Sequence, residues 1–198
     1  MVAVAASGAL AYRTGDASAF IRALGDQAIR VLGTTGSTLE HREASFRRLL
    51  HQGFDIPFIA RFVLGRYWRT ATPSQRDAYM SAFGDFIVAT YSSRFGGYDG
   101  ETLTLVSERP AGNKDVVVKS RIDRPSGPPI EADWRVRVTG DRIRIIDVMV
   151  EGVSMAITQR SEFASVIGRV GLEGLVEALR AQTSNMPAFA ATPGGSGG

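Results

Sequence analysis

The sequence predicts an α+β domain: N-terminal helices, then a four-stranded antiparallel sheet covered by helices on one face, then C-terminal helices. Two observations predict this class. Apolar residues recur at helical spacing in the first half of the chain and again near its end, whereas at about Glu101 their period switches from 3.6 to 2. The length of 198 residues and the hydrophobic content of 44% suit one ordinary domain with its own core.

The first three helices are marked by their apolar spacing and by their ends. The first carries an apolar stripe that Gly33 closes, made of Phe20, Ile21, Leu24, Ala28, Val31 and Leu32. The second is expected over Leu39–Gln52 and stops at Gly53. A third, short helix follows Asp55, with Pro57 in its first turn, where a missing N–H does no harm.

A fourth helix has a stronger start signal. Thr72 supplies an N-cap hydroxyl, Pro73 stands at the first helical position, and Gln75 completes a capping box. We expect this helix to end at Gly96-Gly97. Its apolar stripe is rich in aromatic residues and consists of Tyr79, Phe83, Phe86, Ile87 and Tyr91. Such a stripe is more typical of a protein core than of a ligand site.

The first three strands follow from alternation. Leu103 and Leu105 mark the first strand, and Val116, Val118 and Ile122 mark the second. In the third, Ile130, Ala132, Trp134, Val136 and Val138 alternate with Glu131, Asp133, Arg135 and Arg137. One face of the sheet is therefore expected to be buried and the other to face water.

The fourth strand is expected over Arg142–Val150, after a two-residue hairpin turn at Gly140-Asp141. Its apolar parity shifts between Ile145 and Ile146, which predicts a β-bulge. Two closing helices carry Phe163, Val166, Ile167 and Val170, and then Leu172, Leu175, Val176 and Leu179.

The two ends of the chain differ from the middle. Residues 2–12 form a short apolar run that ends near Ala9-Leu10-Ala11. These three residues match a signal-peptide cleavage site, but no basic segment precedes the apolar run. We expect residues 1–15 to be a truncated signal peptide or else an ordinary flexible N-terminus. Residues 185–198 are rich in Ala, Pro and Gly and are expected to form a disordered tail, which leaves residues 16–184 as the folding domain.

Composition excludes several kinds of chemistry. The chain has no cysteine, and its two histidines, His41 and His51, stand ten residues apart, so we expect no metal site and no bound cofactor.

Of the 23 basic residues only Lys114 and Lys119 are lysine. Arginine prefers planar anions, so this bias indicates either an anionic partner or a codon preference. The arginines are interleaved with acids, so we expect no nucleic-acid binding.

A serine between a strand and a helix imitates a nucleophile elbow. The segment from Gly152 through Ser154 to Ala156 lacks the second glycine, and both histidines precede the serine, although such hydrolases need the histidine after it. Asp147 and Glu151 could in principle act as an acid/base pair, but a structural role is the favoured interpretation. We therefore expect that the chain is not an enzyme.

Two segments resemble a known family. The first reads FVLGRYWRTAT over residues 62–72, and the second reads DVMVEGVSM over residues 147–155, followed by QRSEF over 159–163. They resemble the LG-x-x-WR-x-AT and D-V-x-x-EG-V-S…R-x-x-F signatures of the MlaC family of periplasmic phospholipid-binding proteins. The second segment is most similar to the hopanoid-associated HpnM branch, and the resemblance spans about Phe20 to Leu179.

The resemblance implies a carrier that shuttles lipid through the periplasm, between an inner-membrane ABC-type complex and an outer-membrane lipoprotein complex. It implies that acyl chains lie in a cavity between sheet and helices. Given that, the residues expected to line the cavity are Phe83, Ile87, Tyr91, Val118, Ile122, Trp134, Val136, Val148, Val150 and Met155. Arg66 and Arg69 are expected to contact a lipid headgroup or an acidic partner, with surface ion pairing as the alternative.

Two other classes of function stay open at this point. One is an enzyme or small-molecule binder on a similar fold, as in ketosteroid-isomerase-like proteins. It would need an acid or a tyrosine deep in the cavity, whereas the inward strand positions are apolar. The other is an interaction domain with a filled core and no cargo.

Overall fold

The computed structural model describes residues 15–32, 39–92 and 100–185. The helices are α1 (Asp16–Leu32), α2 (Leu39–Gly53), α3 (Ile56–Leu64), α4 (Tyr67–Thr70), α5 (Pro73–Ser92) and α6 (Met155–Asn185). The strands are β1 (Thr102–Pro110), β2 (Asp115–Asp123), β3 (Ile130–Thr139), β4 (Arg142–Val150) and β5 (Val153–Ser154). This order confirms the α+β prediction.

Some sequence predictions concern residues that the structure does not describe. They are the signal peptide or flexible N-terminus up to residue 14, the helix stops at Gly33 and Gly96-Gly97, and the tail from residue 186 onward. Within the described residues, no helix combines the length and the apolar character needed to cross a bilayer.

The expected helix starts are confirmed by their hydrogen bonds. The Asp55 carboxylate accepts from the Phe58 backbone N–H at 3.0 Å and caps α3. At α5 the Thr72 hydroxyl accepts from the Gln75 N–H at 3.2 Å, while the Gln75 side chain accepts from the Thr72 N–H at 2.8 Å. This reciprocal pair is the predicted capping box.

The closing helices form one element with an interruption. Gly171 has φ 76° and ψ 179° inside α6, so the element consists of two helical segments, as the apolar spacing predicts. Only glycine adopts that positive φ readily. The single turn of α4 has no counterpart among the sequence predictions, because four residues are too few to show a period.

The sheet is an antiparallel meander in the order β1-β2-β3-β4-β5. It has five strands where the sequence predicts four, because the two-residue β5 is too short to show alternation. The hairpin at Gly140-Asp141 is confirmed by the pairing of Thr139 with Arg142. The bulge is also confirmed: Val136 pairs with Ile145 and Arg135 with Asp147, so Ile146 is the extra residue.

Helix α1 packs on the inward side of the sheet and covers its buried part. Its residues Ala17 and Ile21 are buried in one cluster with Val116, Val118, Val136 and Ile145 of the strands. The Glu108 carboxylate of β1 holds the start of α1 by accepting from the backbone N–H groups of Gly15 and Ser18 at 3.0 and 2.9 Å. Further along, the backbone of Gly25 lies so close to Leu103 that a Cβ would come within 2.5 Å of its side chain. We use the name sheet cluster for the six buried residues Ala17, Ile21, Val116, Val118, Val136 and Ile145.

Part of the second face of the sheet is covered as well, although alternation predicts a wet face. Asp115 is buried there and accepts hydrogen bonds from Arg135 at 3.0 Å and from Arg137 at 2.8 Å. The Arg137 guanidinium lies 4.3 Å from the centre of the Phe58 ring of α3. The expected outward arginines therefore bind a buried carboxylate, and Val117 beside it is also buried.

Candidate functional site

The helices α3, α5 and α6 form a second cluster of buried residues, which we call the helical cluster. The ring centres of Tyr79 and Phe83 of α5 lie 6.3 and 6.2 Å from that of Phe163 of α6, and 5.7 Å from each other. A third, smaller cluster joins α2 to α5 through Phe46, Leu50 and Val88. The described core is therefore divided into three groups.

Phe54 is the residue at which these three groups meet. Its side chain is half-buried and packs against the sheet cluster, the helical cluster and the α2–α5 cluster. Its position is fixed because it forms a parallel bridge with Ile145, while the N–H of Asp55 donates to the Ile145 carbonyl at 2.9 Å. Phe54 is not among the residues that the sequence predicts for the site. The available signal was an apolar residue directly before an N-cap, a position that commonly packs on the following helix.

The ten residues expected to line a cavity fall into two groups by burial. Phe83, Val118 and Val136 are fully buried, each with 0% exposure. The other seven are half-buried, and they are Ile87, Tyr91, Ile122, Trp134, Val148, Val150 and Met155. The fully buried residues have no surface open to a ligand in this conformation, whereas the half-buried ones do.

The structure brings the strand members of this set onto one face. Trp134 pairs with Val148, and Val150 is the next residue of β4 on the same side. Val118 pairs with Trp134 across β2 and β3, and Ile122 stands further along the same side of β2. We call the half-buried part of this surface, made of Ile122, Trp134, Val148 and Val150, the apolar sheet face.

The helical members of the set lie elsewhere. Phe83 belongs to the helical cluster and is surrounded by aromatic rings. Ile87 packs on both the helical cluster and the α2–α5 cluster, and Tyr91 packs on the α2–α5 cluster. Met155 is the first residue of α6. The structure therefore separates Phe83 from the sheet residues with which the sequence grouped it.

One polar side chain, that of Ser120, is buried on the same side of the sheet, between Val118 and Ile122 of β2, and its hydrogen bonds are satisfied. The Ser120 hydroxyl donates to the Ala132 carbonyl at 2.9 Å and accepts from the Trp134 indole N–H at 2.9 Å. In the helical cluster, the Tyr79 hydroxyl donates to the Ala60 carbonyl at 3.0 Å, and burial raises the pKa of Tyr79 far above its usual range. Neither group is poised for the acid/base chemistry that a ketosteroid-isomerase-like enzyme would need.

Ser154 has a structural role. Its hydroxyl donates to the Asp147 carboxylate at 2.6 Å and accepts from the Ile157 N–H at 3.1 Å, which makes it the N-cap of α6. Asp147 also accepts from the Ala156 N–H at 3.1 Å. Glu151 stands in the turn with φ 50° and accepts from the Glu131 N–H at 2.8 Å. Both acids therefore have structural roles, as the sequence favours, but Asp147 binds Ser154 and the Ala156 N–H rather than the arginine expected to pair with it.

Two small pockets open on the described surface. One of about 210 Å³ lies between α1 and α2 and is lined by Gln27, Arg30, Val31, His41 and Ser45. The other, of about 160 Å³, lies between α5 and α6 and is lined by Gln75, Ala78, Leu172, Glu173, Val176, Glu177 and Arg180. Both are smaller than the roughly 300–1,000 Å³ typical of small-molecule sites, and neither contains any residue of the predicted lining.

Comparison with known proteins decides the family. The model of the family described as MlaC protein matches residues 22–181. This range includes the helical cluster, the α2–α5 cluster, the apolar sheet face and all of the sheet cluster except Ala17 and Ile21. The chain belongs to the MlaC family. Both segments quoted from the sequence fall inside the match.

Relatives in the MlaC family include the intermembrane phospholipid transport system binding protein MlaC of Haemophilus influenzae, which is 22% identical over 137 residues. That alignment covers 67% of this chain and 64% of the relative, so the chain matches a little under two thirds of the relative's length. Among solved structures, the phospholipid-binding protein of Ralstonia solanacearum in complex with a phospholipid has a TM-score of 0.74 and 25% identity. The similarity covers 86% of this chain and 98% of that one.

Proposed function

We propose that this MlaC-family chain is a periplasmic lipid carrier rather than an enzyme. It binds the acyl chains of a phospholipid, or of a hopanoid-type lipid, and passes the lipid between an inner-membrane ABC-type complex and an outer-membrane lipoprotein complex. The observation that carries the proposal is the apolar sheet face, half-buried in a fold that the chain shares with a phospholipid-bound protein. The family of its relatives supports the same function.

The lipid would lie on the apolar sheet face, against Ile122, Trp134, Val148 and Val150. The division of the core into three clusters joined through Phe54 supports this placement, because such a core can open between the clusters while most of the packing inside each is kept. The half-buried residues Ile87, Tyr91 and Met155 would contact the chains at the edges. Phe83, Val118 and Val136 would contact lipid only after the clusters have moved apart, since they are fully buried here.

Energetics constrain how such a carrier works. Two acyl chains contain on the order of 30 methylenes, and leaving an apolar site for water costs ~0.8 kcal/mol for each of them. The total of roughly 24 kcal/mol exceeds the practical limit of noncovalent affinity, about 18–21 kcal/mol. The lipid must therefore pass directly between the protein and a membrane or partner. Transfer between two apolar environments is nearly balanced, so the partner complexes set its direction.

The test is a lipid extraction of gently purified protein, followed by mass spectrometry and by incubation with labelled liposomes. We expect about one diacyl lipid per chain, or uptake of one from liposomes. A clean extract together with no uptake would overturn the proposal in favour of a cargo-free interaction domain. Extraction of a small non-lipid molecule would favour the small-molecule binder.

A further inference from the structure

The segment from α3 to the start of α5 carries a concentration of positive charge. Residues 56–76 contain four arginines and no acidic residue, although the whole chain has a net charge of only +3. The four are Arg61, Arg66, Arg69 and Arg76. Among the residues that the structure describes, none of the four lies within 4 Å of a carboxylate, so this charge is not neutralised by a described ion pair.

Aromatic rings hold three of these four guanidinium groups in place. Arg61 and Arg76 lie 5.9 and 5.3 Å from the centre of the Trp68 ring, and Arg66 lies 5.0 Å from that of Tyr67. Arg76 is fixed further because its Nε donates to the Trp68 carbonyl at 2.9 Å. Arg61 Nε donates to the Pro57 carbonyl at 3.2 Å, and the Arg66 guanidinium donates to the Tyr67 hydroxyl at 2.9 Å. Stacking and these bonds orient each guanidinium, and its remaining N–H groups stay available to an anion.

A fifth arginine joins the same surface from α6. Arg160 lies 5.2 Å from the centre of the Phe62 ring, beside Gly65. Gly65 has φ 60° and ψ −127°, and a Cβ on it would come within 2.9 Å of the Arg160 Nε. A glycine is therefore required here both by the backbone conformation and by the close approach of Arg160. We use the name arginine–aromatic surface for these four arginines with their stacked rings, together with the exposed Arg69 on α4. The four stacked arginines are Arg61, Arg66, Arg76 and Arg160.

We propose that the arginine–aromatic surface is a docking site for an acidic surface of a partner protein. Arginine, tryptophan, tyrosine and phenylalanine are the residues enriched in protein interfaces, and arginine binds carboxylates in a bidentate geometry. A membrane surface fits less well. The rings of Phe62, Tyr67 and Trp68 are half-buried under guanidinium groups, so they are not free to insert among lipid headgroups.

The test uses a matched pair of double variants. Arg66→Gln with Arg69→Gln removes two exposed charges from the surface, and Arg22→Gln with Arg169→Gln removes two exposed charges elsewhere, from α1 and α6. Binding of a short fluorescein-labelled poly-glutamate peptide is measured by anisotropy at increasing salt. Hydrogen exchange then locates the residues of the protein that the bound peptide protects. Vesicles of phosphatidylglycerol and phosphatidylethanolamine are measured in parallel.

We expect salt-sensitive peptide binding that weakens about tenfold in the Arg66/Arg69 variant and less than about twofold in the Arg22/Arg169 variant. Exchange protection should fall on residues 56–76. Absence of peptide binding, or equal loss in both variants, would overturn the docking site. Vesicle binding that needs Arg66 and Arg69, without peptide binding, would assign the surface to the membrane instead.

The lipid content of the same variants separates this inference from the carrier proposal. We expect the Arg66/Arg69 variant to purify with as much lipid as the wild type, because a docking surface does not hold cargo. Loss of lipid in this variant alone would place the two arginines at a headgroup site and overturn the docking inference while leaving the carrier proposal intact. Absence of lipid from the wild type would contradict the carrier proposal without affecting peptide binding.

Discussion

The Asp147 carboxylate accepts a hydrogen bond from the Ser154 hydroxyl at 2.6 Å, across the turn that connects β4 to α6. The same two side chains accept the N–H groups of Ala156 and Ile157 at the start of the helix. The second segment that resembles the family, residues 147–155, therefore caps the N-terminus of α6. Its serine orients a helix that supplies Phe163 to the core.

The first prediction concerns Ser154→Ala. Loss of an N-cap hydroxyl should lower the free energy of unfolding by about 1 kcal/mol, as measured by chemical denaturation. Ser161→Ala is the control, because its exposed hydroxyl only donates to the Ile157 carbonyl, and it should change stability much less. A fluorophosphonate probe should leave Ser154 unlabelled in the wild type. Stoichiometric labelling there would contradict the structural role.

The second prediction concerns Asp115. Burial alone would raise the pKa of Asp115, but hydrogen bonds and charges from Arg137 and Arg135 outweigh it and lower the pKa below its ordinary value. Asp115→Asn should cost about 2 kcal/mol, less than the roughly 3–5 typical of a broken buried pair. The cost is smaller because the Arg135 and Arg137 side chains are 46% and 31% exposed and regain water.

The pH dependence of this pair has a definite sign. Because the folded pKa is lower than the unfolded one, the carboxylate stabilises the fold above the unfolded value of about 3.9. That contribution is lost as the pH falls through the folded pKa. Denaturation at a series of acidic pH values should show a shallower loss of stability for Asp115→Asn than for the wild type. Asp141→Asn, at the exposed hairpin turn, should follow the wild type, and an identical loss in all three would refute the assignment.

The third prediction concerns the junction residue Phe54. Phe54→Ala should destabilise the fold by about 3 kcal/mol, because it removes contacts with three clusters at once. Phe62→Ala is the matched control, since Phe62 is also half-buried but contacts only one of the three clusters, the helical one, besides the stacked Arg160. Chemical denaturation of both variants measures the difference. An equal or smaller effect at Phe54 would show that the clusters do not depend on it.

The sequence predicts most of the fold because the signals are local. The alternation in β3, the capping box at Thr72 and the parity shift at Ile146 each report on neighbouring residues, and the structure confirms all three. The elements that it does not predict, α4 and β5, span only about one period of their own pattern, so the pattern cannot repeat within them.

The candidate site is harder to predict because it depends on how elements are arranged in space. Alternation placed Trp134 and Val136 on one face, but it could not tell that Val136 is fully packed while Trp134 stays half-exposed. The stripe of α5 could not reveal that Phe83 faces Phe163 rather than the sheet. Phe54 lies between two helices, where no period exists to mark it. Such facts follow only from the tertiary packing.

Native mass spectrometry of two neighbouring variants tests the central claim, that lipid lies on the apolar sheet face. Val150 belongs to this face, and Met149, the adjacent residue of β4, points to the opposite side of the sheet and is also half-buried. We predict about one lipid per chain in the wild type and in Met149→Arg, and none in folded Val150→Arg, where the guanidinium occupies the path of the acyl chains. If folded Val150→Arg carries as much lipid as Met149→Arg, or if the wild type carries none and takes none from liposomes, the claim is contradicted.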